Sequence, residues 1–361
     1  MLALRLVRGT HPVVQLRRLL VAAAAAGVGF LLLCALGYAV GHPAGSAEAV
    51  LRLLWCVPPL AATVQFAVAV ARTDPSTRPR PGLSAIGLGP ARLTAIAAAS
   101  TAVACTLGSA LALLFYLHLR GDITGLPFDG AAAGLLAADQ PLPLAAALTL
   151  LAIPPVTAAT AAGLSLRPRK ARTEEPSPVS AVPWGVSLLA VGLAVETYAA
   201  RGSGSGVLAG WFITTVGLAL MGPGLTHWCG ALLQTVRPGA VRLLAGRVLM
   251  DESRRLGRPL GVVCAVGSAA IAVVTAYDGA ALGPLTWLGV TVVVGCTTAT
   301  LFTAALESKQ SRTHTTEALR RLGAPPTVLR TTALLRAGAL LAVFVPLTCA
   351  VGVLAAVPLR G

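Results

Sequence analysis

The sequence predicts an all-α fold, a polytopic membrane bundle of about nine transmembrane helices. The first observation is composition: 56% of the 361 residues are hydrophobic and only 11% are charged, which does not suit the surface of a soluble domain. The second is that apolar runs of about 20 residues, long enough to cross a hydrocarbon core, recur along the chain. The third is where the basic residues fall relative to those runs.

Nine apolar runs are bounded by charge, proline or glycine, and each is predicted to form a spanning helix. The predicted spans are 19–41, 47–71, 93–118, 142–164, 183–200, 207–233, 258–279, 283–306 and 331–358. Four arginines precede the first run, as in a secretory signal, but an apolar stretch of about 22 residues is too long for one. We therefore expect a retained signal anchor.

Basic residues separate to one side of these spans. If the N-terminus lies in the cytoplasm, all but four of the 28 Lys and Arg residues fall on the inner side, including Arg336, which is expected to extend back from the last span. The four on the outer side are Arg52, Arg120, Arg201 and Arg360. Because cytoplasmic loops are enriched in Lys and Arg, this separation supports nine crossings. The expected location is the cell membrane, with a cytoplasmic N-terminus and an extracytoplasmic C-terminus.

The seven cysteines lie in apolar runs or at their edges, and none forms a C-x-x-C pair. They are interpreted as small packing residues, because neither a disulfide frame nor a metal site is indicated by this spacing.

An internal repeat marks two cytoplasmic segments. Five residues recur with the same spacing at an offset of 236: Leu83, Ile86, Gly87, Pro90 and Leu93, then Leu319, Leu322, Gly323, Pro326 and Leu329. Each copy runs directly into the next span. The apolar residues three apart predict a short helix lying on the inner face. The glycine permits a turn, and the proline is predicted to begin the ascending helix, where a missing amide is tolerated.

The repeat predicts two related modules of the four-helix type, a common plan for transporters. The first module is residues 1–165, with spans 1–4. Residues 166–256 hold a Pro-rich charged linker and an inserted helix pair, spans 5–6. The second module is residues 257–361, with spans 7–9, and is predicted to lack its last helix.

The segment EALRRLGAPPTVLR, Glu317–Arg330, and more loosely GLSAIGLGPARL, Gly82–Leu93, resemble the cytoplasmic helix of the FtsX-like (MacB/BceB-type) permease family of ABC transporters. In that family the helix docks on a separate ATPase subunit and transmits its motion to the spans. The resemblance implies this role for the ten repeat residues. Beside them, Arg320 and Arg321 have two interpretations that stay open: contact with an acidic groove on the ATPase, or with anionic lipid.

The resemblance also implies partners. These are a separate ATP-binding ABC ATPase subunit, expected as a dimer, membrane lipid and, as a further candidate, a second permease chain. Nucleic acid is not expected, because the basic residues follow membrane topology. Two departures stand out: Ser100 and Arg336 occupy positions where family members often carry an acidic residue, and no large extracellular domain is present.

No ATP-binding motif is present in the sequence. A phosphate-binding loop needs a lysine directly after glycine, whereas Lys170 follows Arg169 and Lys309 follows Ser308. We therefore expect no enzyme activity, no catalytic residue, no metal and no cofactor on this chain, and ATP hydrolysis on a partner.

Two carboxylates, Glu196 and Asp278, fall near the outer ends of predicted spans 5 and 7. A charge at the centre of a span costs about 2.5 to 3.5 kcal/mol on insertion scales, so such residues are usually functional. Three interpretations stay open: a water-solvated outer rim, a proton relay, and the lining of an outer cavity.

The predicted function is the membrane-spanning permease subunit of an ABC transporter complex. ATP hydrolysis by the separate subunit would drive export of a lipophilic or peptide-like compound, or transmit force across the membrane. The alternatives are an ion-coupled secondary transporter and a non-transporting membrane scaffold.

Overall fold

A computed structural model gives the structure of this chain, and every regular element in it is a helix. It describes residues 12–74, 90–123, 125, 127–128, 130–134, 136–167, 178–199, 204–235, 239–276, 283–313, 317, 321, 323 and 325–357. The predicted all-α fold is confirmed for this part of the chain.

Ten α-helices are numbered in chain order. They are α1 Pro12–Gly41, α2 Ser46–Trp55, α3 Val57–Thr73, α4 Pro90–Arg120, α5 Leu144–Leu166, α6 Val182–Ala199, α7 Gly204–Thr235, α8 Ala240–Ala276, α9 Pro284–Ser311 and α10 Pro326–Ala356. A short 3-10 helix, Pro178–Ala181, precedes α6.

Nine spans, counted over the described residues, are long and apolar enough to cross a membrane, as the sequence predicts. The second span combines α2 and α3, which break at Cys56. Pro58 explains the break, because its ring lacks an amide and clashes with the carbonyl four residues earlier in a continuous helix. These spans fit a multi-pass membrane protein.

Helix α8 begins 18 residues before the start predicted for its span. Its 37 residues are about 55 Å long, well beyond the roughly 30 Å of a hydrocarbon core. Ala245, Leu249 and Leu256 in the added part are buried at helical spacing, and the arginines between them are mostly exposed. The charges on the outer face hide this amphipathic extension from a hydropathy search. The predicted domain boundary at 256/257 therefore falls inside a continuous helix.

The chain divides into two compact units that are interleaved in sequence. Unit 1 comprises Met1–Lys170 and Gly283–Thr300, and unit 2 comprises Ala171–Leu282 and Leu301–Gly361. Helix α9 contributes its first part to unit 1 and its last part to unit 2. The three-part division drawn from the repeat stays a prediction.

Unit 1 packs around α1, which contacts α3, α4 and α5. Its core joins side chains of several helices, including Val21, Phe66, Cys105 and Cys296, all buried. All seven cysteines are described and free, and six are buried. Six of them are packed in the interior, as the sequence interpretation expects, whereas Cys349 is exposed.

Unit 2 is packed through glycines on α6, α7 and α8. A Cβ added to Gly222 of α7 would collide with the carbonyl oxygen of Gly257 on α8, and one added to Gly217 would lie 2.7 Å from the Leu189 amide of α6. Small residues let helix backbones approach closely in a membrane, where apolar burial gives little drive. The sequence does not show which glycines serve this purpose, since glycine is frequent throughout the chain.

Two helices repeat at the offset found in the sequence. Helix α4 runs Pro90–Arg120 and α10 runs Pro326–Ala356. Their first residues differ by 326 − 90 and their last by 356 − 120, which is 236 in both cases. The two helices that follow the repeated segments are thus equal in length as well as aligned in sequence.

Candidate functional site

Six of the twelve predicted coupling residues lie in the described part of the chain: Pro90, Leu93, Arg321, Gly323, Pro326 and Leu329. The other six, Leu83, Ile86, Gly87, Leu319, Arg320 and Leu322, lie outside the described residues. The site can therefore be built from the start of α4 and from the second copy of the repeat.

The second copy has the predicted turn and helix start. Gly323 has φ +86°, in the left-handed region that favours glycine. Pro326 begins α10, and Pro90 likewise begins α4. Leu93, on the first turn of α4, is buried, whereas Leu329 on α10 is half-buried.

Charged side chains near Gly323 face solvent. Arg321 donates to Glu317 over 3.4 Å, and the two side chains are 79% and 62% exposed. An exposed pair at this spacing contributes little to stability. Its charges remain accessible to a partner.

A buried carboxylate, Glu252 on α8, contacts side chains from both sides of this segment in the sequence, at the end of α9 and on α10. Its residue is 7% exposed. Ser308, on the last turn of α9, donates its hydroxyl to Glu252 Oε1 over 2.7 Å. Arg312, which directly follows α9, pairs with both carboxylate oxygens. Arg336 of α10 donates to Oε2 over 3.4 Å. We call these four residues the Glu252 cluster.

The Glu252 cluster joins three helices of unit 2, α8, α9 and α10, through one carboxylate. Ser308 and Arg312 precede the second copy of the repeat, and Arg336 lies ten residues after Pro326. Arg336, which the sequence predicts to extend toward the inner face, ends at Glu252. Removing one partner of a buried ion pair costs about 3 to 5 kcal/mol, because a buried charge is left uncompensated. The cluster can therefore hold α8, α9 and α10 in a fixed arrangement.

Unit 1 has a smaller tie at the corresponding helix ends. Arg18 of α1 donates to Asp74, which directly follows α3, over 2.5 Å, and Arg17 donates to Thr73 over 3.1 Å. The Arg18 side chain is 41% exposed and that of Asp74 only 7%. We call this the Arg18 pair.

Glu196 of α6 is buried, at 2% exposure. Thr214 of α7 donates to its Oε1 over 3.0 Å, and Oε2 has no hydrogen-bond partner. The interpretation of Glu196 as a solvated outer rim is therefore wrong, because close packing of α6 on α7 encloses the side chain. The role in an outer cavity stays a prediction, and Asp278 lies outside the described residues.

Sequence reasoning missed Glu252, although a signal was present. Glu252 lies on the buried stripe of α8, three residues after Leu249 and four before Leu256. An acidic residue on an otherwise apolar stripe within an arginine-rich segment indicates a buried ion pair. Its partners are 56 to 84 residues away along the chain, so only the fold identifies them.

Among the described residues, no three His, Cys, Asp or Glu side chains are placed to hold a metal ion. The described residues do contain an exposed ion pair, Glu317 with Arg321, between two helices, α9 and α10, whose side chains meet on one buried carboxylate. Compared with protein-family profiles, curated proteins and solved structures, the chain matches none of them.

Proposed function

We propose that this chain is the membrane-spanning permease subunit of an ABC transporter complex, in which a separate ATPase subunit binds the segments between α3 and α4 and between α9 and α10. In this proposal the chain lies in the cell membrane with its N-terminus and both segments in the cytoplasm. ATP hydrolysis occurs on the partner. The work done is export of a lipophilic or peptide-like compound, or transmission of force across the membrane.

One observation carries the proposal: the described charged residues of the second segment, Glu317 and Arg321, are exposed, while side chains of the helices before and after it converge on Glu252. A surface that only meets lipid or water needs no such link to the spans. A surface that receives motion from a partner does, since motion must pass from an exposed contact to helices in the bilayer.

The path of that motion follows from the contacts. A partner bound at Glu317 and Arg321 displaces the segment at Gly323, whose backbone already occupies the left-handed region. The displacement reaches α10 through Pro326 and the end of α9 through Arg312. Both helices are joined to α8 at Glu252, so the three helices move together.

Purification in mild detergent tests the proposal. We expect a P-loop ATPase to be recovered with the chain, identified by mass spectrometry and by ATP hydrolysis. Charge reversal at the exposed arginine, Arg321→Glu, is expected to release it, because an acidic groove on the ATPase would then meet like charge.

Arg52→Glu is the matched control, because it makes the same charge change on an exposed residue predicted for the other side of the membrane. It is expected to leave the ATPase bound. Recovery of the chain without an ATPase, or equal recovery from both variants, would overturn the proposal.

A second candidate function, ion-coupled transport, is favoured by Glu196. A buried carboxyl with one unpartnered oxygen is the kind of group that carries protons within a membrane. If this function holds, Glu196→Gln abolishes a flux driven by a pH gradient in proteoliposomes. An unchanged flux removes this candidate and leaves the first.

A further inference from the structure

A groove lies between the first turns of α4 and the last turns of α5, both in unit 1. It has a volume of about 460 Å³, within the range of sites that hold small ligands. Ala95 and Ala98 of α4 line it on one side, and Thr160 and Gly163 of α5 line it on the other.

The groove is open because the facing side chains are small. A Cβ added to Gly163 would meet only Ala98, at an ordinary contact distance of 3.7 Å. The two threonines in the lining donate their hydroxyls to their own helices, Thr94 to the Ala91 carbonyl and Thr160 to the Val156 carbonyl. The length of the groove therefore presents an apolar surface.

One end of the groove carries a cation. Arg167, directly after the last turn of α5, is exposed and is the one charged residue in the described lining. No hydrogen bond or ion pair links Arg167 to another residue in the described part of the chain. Within the described residues, the groove thus has an apolar length and, at its end, a positive charge without a partner.

We propose that this groove binds one anionic phospholipid of the leaflet that faces the predicted cytoplasmic side, with an acyl chain along Ala95, Ala98 and Gly163 and the phosphate on Arg167. The acyl chain is surrounded by other lipid tails before it binds, so it gains little free energy by entering the apolar groove. The selection for anionic lipid therefore comes from Arg167, and the apolar length sets the place at which the lipid is held.

The single charge of Arg167 sets the expected size of the preference for anionic over neutral phospholipid. One basic residue near a membrane surface is worth about 1 kcal/mol toward anionic lipid, or roughly a fivefold difference in affinity. The site shares no residue with the proposed ATPase contact, since none of its lining residues is among the twelve predicted coupling residues.

Native mass spectrometry of the delipidated full chain in neutral detergent tests the proposal. The chain is titrated with phosphatidylglycerol and with phosphatidylcholine of the same acyl chains. We expect one phosphatidylglycerol to be retained with roughly fivefold preference, and Arg167→Gln to remove that preference. Arg92→Gln, which removes an exposed arginine from the first turn of α4 outside the groove, is expected to keep it.

A second pair of variants tests the groove independently of charge. Ala95→Phe places a ring in the groove and is expected to lower phosphatidylglycerol binding, whereas Ile96→Phe, on an exposed neighbouring position outside the lining, is expected to have no effect. Equal binding of the two lipids by the unmodified chain overturns the proposal. So does competition by inorganic phosphate as strong as that by phosphatidylglycerol, which would indicate a site for free phosphate. Equal effects of the two arginine variants, or of the two phenylalanine variants, also contradict it.

Discussion

In each unit an ion pair joins two helices, but the positions of the cation and the anion are exchanged between the units. In unit 1 the cation, Arg18, lies on α1 and the anion, Asp74, follows α3. In unit 2 the anion, Glu252, lies on α8 and the cation, Arg312, follows α9. Under the internal repeat, α1 corresponds to α8, and α2 with α3 corresponds to α9. Under the predicted correspondence, an ion pair between the same two helices is thus made by different residues in the two units.

The two units differ at the third helix of each predicted module, α4 in unit 1 and α10 in unit 2. At an offset of 236, Ser100 of α4 corresponds to Arg336 of α10. Ser100 donates to the Ala97 carbonyl of its own helix over 2.9 Å, whereas Arg336 reaches Glu252 on α8. Unit 2 therefore links three helices through one buried carboxylate, and the Arg18 pair links two. Under the proposed function, motion of the second segment would therefore be the one carried directly into a set of spans.

The largest expected effect is at the centre of the Glu252 cluster. Glu252→Gln leaves the guanidinium groups of Arg312 and Arg336 without a counter-charge in a site that is largely closed to water. We expect a loss of about 3 kcal/mol in stability, measured by thermal unfolding in detergent. Asp251→Asn, on the exposed neighbouring position of α8, is the control. A similar loss in both variants would contradict the assignment of the cost to the cluster.

Glycine packing gives the next largest effect. Gly222→Ala forces α7 away from the backbone of Gly257 on α8, with an expected loss of about 2 kcal/mol from overpacking. Gly295→Ala on α9 has no neighbour within 4 Å, and alanine favours a helix over glycine by about 1 kcal/mol. Unfolding of the two variants in the same detergent checks the contrast. Equal stability would show that α7 and α8 are not packed so closely.

The Arg18 pair is expected to matter less than the Glu252 cluster. Asp74→Asn is expected to cost about 1 kcal/mol, since the Arg18 side chain is 41% exposed and solvent screens the pair. High salt should reduce this cost and leave the cost of Glu252→Gln nearly unchanged. Unfolding measured at low and high salt tests the comparison, and a cost for Asp74→Asn that salt does not change would refute it.

The smallest effect is expected in the exposed segment. Glu317→Gln breaks the pair with Arg321 and is expected to change stability by less than about 0.5 kcal/mol. The pair is thus expected to contribute little to stability, even though the proposed partner binds there. A loss comparable with that of Asp74→Asn in the same unfolding assay would show instead that this segment is part of the folded core.

The predictable part of the fold is the part set by hydropathy. Most span limits agree with the helices to within a few residues, because apolar runs between charges decide them. The start of α8 does not, since exposed arginines surround the buried stripe of Ala245, Leu249 and Leu256. The turn at Gly323 and the helix start at Pro326 follow from local backbone chemistry, so the sequence predicts them.

The candidate site is predictable only where it is local. Glu252 and Arg336 are 84 residues apart, and no spacing rule connects them. Glu196 lies near the end of its span, where water is expected, but packing of α6 against Thr214 on α7 encloses it. Both cases depend on which helix faces are neighbours, and hydropathy does not report that.

The most direct test of the account uses Arg336, which joins α10 to the Glu252 cluster. Arg336→Met leaves Glu252 paired with Arg312 and replaces a mostly buried cation by an apolar side chain, so the loss of stability should be smaller than the roughly 3 kcal/mol expected for Glu252→Gln. The measurement is ATP hydrolysis by the proposed ATPase partner in nanodiscs, with the unmodified chain and with Arg336→Met. We predict that the variant binds the ATPase as the unmodified chain does and loses most of the chain-dependent stimulation of hydrolysis. Full stimulation by Arg336→Met would contradict the account.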